Sequence, residues 1–148
     1  MKKINHFIDG NEYLGQSKRS GDVYNPALGE KIAEVSFANS DDVEQAIISA
    51  KNAFSSWSKT PPLTRSRIFF KFKELLVRDM DKLAAQVTEE HGKVLSDSIG
   101  SITRGMEVVE FMCGVPHLIK GEFSENVGSN IDSWSMRQPL GICVGITP

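Results

Sequence analysis

Cysteine is scarce in this sequence: 148 residues hold two, Cys113 and Cys143, inside strongly patterned segments. Nothing around them marks a disulfide framework or a metal site, so no metal is expected. No apolar run approaches the ~20 residues that a membrane-spanning helix needs. The opening Met1-Lys2-Lys3-Ile4-Asn5-His6 is charged but leads into no apolar stretch, so a secretory signal is not expected. An excess of positive charge is also missing: Lys and Arg total 17 against 19 Asp and Glu, a formal net charge of -2. Without a basic field, nucleic acid is not an expected partner. Three chemical signatures are absent as well: Gly-x-Gly-x-x-Gly, a Gly-Lys-Ser/Thr phosphate loop, and His-Glu-x-x-His. What remains is an average balance, 40% hydrophobic and 24% charged residues, long enough for one globular core. A reducing cytoplasm is the simplest compartment for such a chain.

Residues 1–35 read as short strands and turns. Asp9-Gly10 between apolar residues signals a hairpin, and Pro26 with Gly29 makes a second turn before a strand over Lys31 to Val35. Helical spacing follows. Ser40 is the expected N-cap, and Val43, Ala46, Ile47, Ala50, Phe54 and Trp57 recur on one face until Pro61-Pro62 ends the segment. Thr64 is read as capping the next stripe, through Ile68, Phe72, Leu75, Leu76 and Met80. Asp81 restarts the helix, which Gly92 stops. A third helix begins near Ser96 with Ile99, Ile102, Met106, Val109 and Cys113 inward, and Pro116 weakens its last turn.

Gly121 to Asn130 then reads as a polar loop, and Ser133 to Arg137 as a half-exposed strand. Ile142-Cys143-Val144-Gly145-Ile146 is apolar on both faces, the pattern of a parallel strand buried in an α/β sheet. Such a strand needs neighbours brought by crossovers of a dozen residues or more. None follows Thr147-Pro148, so the expectation is that the sequence is a piece of something longer.

Candidate chemistry is sparse. Cys113 and Cys143 both fall on packing positions, with no His, Lys or helix start beside them in sequence to activate a thiol. Glu90-His91-Gly92-Lys93 is better explained as a helix end than as an acid-base pair. Arg104 lies off the apolar stripe with Glu107 three residues on, the spacing of a surface pair. The alternative is a guanidinium that grips a substrate carboxylate with both arms.

Taken together, Phe7-Ile8-Asp9-Gly10, Tyr24-Asn25-Pro26-Ala27 with Gly29-Glu30, and Ala50 to Trp57 resemble the aldehyde dehydrogenase family. Glu90-His91-Gly92-Lys93, Pro139-Leu140-Gly141 and Gly145-Ile146-Thr147-Pro148 continue the likeness in order along nearly the whole chain. Thr103-Arg104-Gly105-Met106-Glu107-Val108-Val109-Glu110-Phe111 is similar to the CoA-acylating methylmalonate-semialdehyde branch.

The resemblance implies an α/β fold, the N-terminal part of the aldehyde dehydrogenase architecture. In it 1–131 is the leading part of an NAD-binding domain and 132–139 a strand of the bridging, oligomerising sheet. Residues 140–148 carry the first Rossmann-type strand. In the complete enzyme of this family a cysteine thiolate attacks the aldehyde, hydride passes to NAD, and coenzyme A takes the resulting acyl group. The products implied are propionyl-CoA or acetyl-CoA. By the same resemblance Arg104 binds the carboxylate of the semialdehyde, while Ile146, Thr147 and Pro148 line the NAD site. No catalytic residue falls within this chain, and the complete enzyme is expected to be a homo-oligomer. Two other readings stand beside this one: a non-acylating semialdehyde dehydrogenase, and a free-standing helical interaction module.

Overall fold

In the computed structural model, which describes residues 2–147, the front of the chain is a set of short strands. β1 (Lys2–Ile4) runs parallel to β5 (Glu30–Ser36), and β4 (Ser20–Asn25) pairs with the other edge of β5 in antiparallel register. The resulting order is β1-β5-β4, with Ala33 of the central strand buried. β2 (His6–Ile8) and β3 (Asn11–Tyr13) form the expected hairpin. Its corner is Asp9-Gly10, with φ of 55° and 74°, the two consecutive left-handed residues that a tight two-residue turn requires.

Four long helices follow. α1 (Ser40–Trp57) is capped by Asn39 rather than by Ser40. The Asn39 side chain accepts from the Asp42 amide at 2.9 Å, and the Asp42 carboxylate accepts from the Asn39 amide at 2.9 Å. This reciprocal box outcompetes a serine cap because it satisfies donors at both positions. α2 (Pro62–Arg78) starts on proline, whose fixed φ and missing N–H suit a first turn, so no side chain of Thr64 caps it. α3 (Met80–His91) begins one residue ahead of Asp81 and ends where Gly92 turns left-handed at φ 81°. α4 (Leu95–Cys113) likewise begins one residue before Ser96, after an extended Val94. Pro116 does not lie in α4; Gly114 ends that helix, and the proline enters a separate short turn, α5 (Val115–Leu118).

Small residues let the helices approach. Ala84 of α3 and Ser98 of α4 are fully buried, and the Thr88 and Ser98 hydroxyls meet at 2.8 Å across the α3/α4 seam. Ser66 of α2, also buried, donates to the Cys113 carbonyl at 2.6 Å and ties α2 to the end of α4.

Three expectations differ from the structure near the end. The region expected as a polar loop contains β6 (Phe123–Gly128), and the strand expected over Ser133 to Arg137 is β7 (Ile131–Trp134). They pair as an antiparallel hairpin with an irregular register between Ser124 and Gly128, where Asn126 takes φ 53°. Ile142 to Ile146 forms no strand: Val144 is 84% and Ile146 97% exposed. A strand's hydrogen bonds belong to a neighbour, and no described strand lies alongside this segment. No helix among the described residues is long and apolar enough to cross a membrane.

Candidate functional site

The connection between α3 and α4 gathers the polar chemistry of the helical half. The Gly92 amide closes α3 onto the Thr88 carbonyl at 2.8 Å, and the left-handed turn sends Lys93 back toward α4. Glu90-His91-Gly92-Lys93 is therefore a helix end, as its residue types suggested. Lys93 is half-buried and its Nζ donates to Ser101 Oγ at 2.8 Å. Helical geometry puts Ser101 and Arg104, three residues apart, on one side of α4. Arg104 is exposed, and its Nη2 donates to the same Ser101 Oγ at 3.2 Å.

The surface pair with Glu107 does not form. Among the described residues neither Arg104 nor Lys93 enters an ion pair. Two cations thus converge on one neutral hydroxyl. Sequence reasoning found Arg104 but not Lys93 or Ser101. The i, i+3 spacing of Ser101 and Arg104 was a usable signal; the return of Lys93 was not, because it depends on the path after Gly92.

The expected cofactor-side residues lie elsewhere. Ile146 and Thr147 are exposed on a segment without regular structure, and Pro148 lies outside the described residues. No hydrogen bond or ion pair joins Arg104 to Ile146 or Thr147 among the described residues.

The cysteines differ from each other. Cys143, expected inside a buried strand, is exposed, and among the described residues its polar contact is a long 3.9 Å approach to the Gly141 carbonyl. Cys113 is half-buried and free. Its surroundings correct the view that no cation is near. Lys73 of α2 pairs with Glu110 at 2.7 Å and is held above the ordinary lysine value, first by Glu110 and to a lesser degree by the nearby Cys113 sulfur. That lysine is already committed to a carboxylate.

The mixed α/β element order, with helices packed behind short strands, defines the class of fold. Residues 13–148 match the model of the aldehyde dehydrogenase family, and the chain belongs to that family. It is 43% identical over 148 residues to malonate-semialdehyde dehydrogenase of Pseudomonas aeruginosa, covering all of this chain and 30% of that protein. It is 43% identical over 146 residues to the acylating, mitochondrial methylmalonate-semialdehyde dehydrogenase of Arabidopsis thaliana, covering 99% of this chain and 24% of that protein. Among solved structures, one from Sinorhizobium meliloti, described as a methylmalonate-semialdehyde dehydrogenase complexed with NAD, superposes with a TM-score of 0.91. Its identity is 45%, over 95% of this chain and 29% of that one. The chain therefore spans under a third of the length of these relatives.

Proposed function

We propose that this chain is the amino-terminal portion of an NAD-dependent, CoA-acylating dehydrogenase of malonate or methylmalonate semialdehyde, giving acetyl-CoA or propionyl-CoA. The observation that carries the reading is the end-to-end similarity, 43% over 148 residues, to a protein named for that substrate. The acylating relative from Arabidopsis thaliana supports CoA as the acyl acceptor. The Sinorhizobium meliloti complex supports NAD.

Within this proposal 1–131 is the leading part of the NAD-binding domain, 132–139 belongs to a bridging sheet, and 140–148 supplies the first Rossmann-type strand. Arg104 binds the semialdehyde carboxylate. Its exposed guanidinium has donors left over and no carboxylate of its own, which suits a bidentate grip. Ile146, Thr147 and Pro148 hold one margin of NAD. NAD, when bound, accepts the hydride of the aldehyde carbon. Neither Cys113 nor Cys143 is assigned as nucleophile. A homo-oligomeric, cytoplasmic enzyme completes the proposal, although the Arabidopsis thaliana relative is mitochondrial by name.

The test is Arg104→Ala in the dehydrogenase carrying this chain, followed through NADH absorbance and acyl-CoA analysis. Losing a charge-assisted bidentate bond of roughly 1.5–3 kcal/mol raises KM for malonate semialdehyde about ten- to a hundredfold. An unchanged KM returns Arg104 to an ordinary surface position, and a free-acid product from the parent enzyme rules out acyl transfer to CoA.

A further inference from the structure

Ser101 sits at a point where charge is unbalanced. Its oxygen accepts from Lys93 Nζ at 2.8 Å and from Arg104 Nη2 at 3.2 Å, which occupies both lone pairs of a hydroxyl. The two cationic heads can be no further apart than these two bonds laid end to end. Like charges that close repel unless an anion lies between or in front of them. Among the described residues the acidic side chains of α3 and α4, Asp81, Glu89, Glu90, Asp97, Glu107 and Glu110, make no ion pair with either cation, and Glu110 is paired with Lys73 instead. Among the described residues the cluster is therefore a positively charged place with one neutral tether and an open side, since Arg104 is exposed.

We propose that Ser101 is the positioning residue for Arg104, and that Lys93 supplies a second positive charge, so that Lys93, Ser101 and Arg104 together select substrates bearing a carboxylate. The proposal rests on the assignment of Arg104 to the semialdehyde carboxylate made above. A free arginine on an exposed helix face samples many rotamers, and ordering it on binding costs affinity. The bond to Ser101 uses one of five guanidinium N–H donors and fixes the fork while leaving the others to meet a ligand. Lys93 is held from its own side by the left-handed turn at Gly92, so its charge stays beside the fork.

The test compares Ser101→Ala, Ser101→Thr, Lys93→Gln and Arg104→Ala in the complete dehydrogenase. The readout is selectivity, the ratio of kcat/KM for malonate semialdehyde to that for propanal, together with the salt dependence of KM. Ser101→Ala is expected to raise KM for the semialdehyde about tenfold with little change in kcat, and Ser101→Thr, which restores a hydroxyl, to recover most of it. Lys93→Gln is expected to lower selectivity about threefold and to flatten the salt dependence, because one screened charge is gone. If Arg104→Ala loses selectivity while Ser101→Ala and Lys93→Gln keep it, the positioning role is wrong and the assignment of Arg104 survives. If Arg104→Ala also keeps it, that assignment falls with the rest. Should Ser101→Ala not fold, Lys93→Gln decides alone: parental selectivity and salt dependence overturn the proposal.

Discussion

At the scale of single residues, Asp42 shows how much one carboxylate organises. It is 2% exposed yet charged, because backbone amides replace its water. The Asn39 amide donates to one oxygen at 2.9 Å and the Gln16 amide to the other at 2.8 Å, joining α1 to the loop after β3. The Asn39 amide is the main reason its carboxyl stays below the ordinary value of 3.8; burial opposes the shift, and Gln16, Tyr13 and Ser17 add to it. A depressed pKa in the folded state means stability that is present above pH 3.8 and is lost as pH falls through that value toward the folded one. Hydrogen exchange should therefore show protection of the Gln16 and Asn39 amides holding steady at neutral pH and dropping in acid. Asp42→Asn should have weak protection at every pH and no acid step. A step of equal size in parent and variant would assign it to other carboxylates, such as Asp22 beside Lys31 or Asp79 beside Arg78.

At the scale of elements, the contacts that set helix position are polar and small, and Ser66 is the clearest of them. Ser66→Ala removes the hydroxyl from the Cys113 carbonyl and leaves a buried acceptor unmet, at a cost of about 1–2 kcal/mol. Exchange of amides at the end of α4 should quicken roughly five- to thirtyfold, and unchanged rates would mean that water fills the gap. Such ties explain what could be read from sequence. Asp9-Gly10 and Gly92 act through their own backbone, so a hairpin and a helix end were legible where they stand. The cap at Asn39 was missed by one residue because its strength comes from the returning carboxylate of Asp42, three positions on. β6 was read as a loop because Ser124, Glu125, Asn126 and Gly128 leave it no apolar alternation. Its pairing with β7, and the left-handed Asn126 that interrupts it, are set across the hairpin rather than along the strand. Ile142 to Ile146 shows the reverse: the strand pattern is local and present, but the partner that would realise it is not among the described residues. Arg104 was legible through family likeness, whereas its meeting with Lys93 depends on where the chain goes after α3.

At the scale of the molecule, apolar surface exceeds what the fold covers. Among the described residues Ala33, Ala84 and Val115 are the buried hydrophobic ones, while large side chains stand open on α1, α2 and α4. Val43 and Ile47 of α1 are 51% and 39% exposed, Ile68 and Phe72 of α2 51% and 46%, Val108 and Phe111 of α4 62% and 64%. On α1 and α2 these residues belong to the stripes whose helical spacing marks them as inward-facing. An amphipathic face without a partner layer leaves hydrophobic stabilisation unrealised and invites association. Relatives more than three times as long have additional chain with which to cover such faces. The 148 residues made as a separate polypeptide should therefore bind a hydrophobic dye such as ANS strongly, self-associate with rising concentration, and form no NADH from malonate semialdehyde, NAD and CoA. The complete dehydrogenase at equal molar concentration should bind little dye. A monomer that stays dark with ANS would mean that the apolar faces close on one another in solution. NADH formed by the 148 residues alone would show that catalysis needs no residue outside them, and Cys113, with Lys73 nearby, would then be the first side chain to substitute.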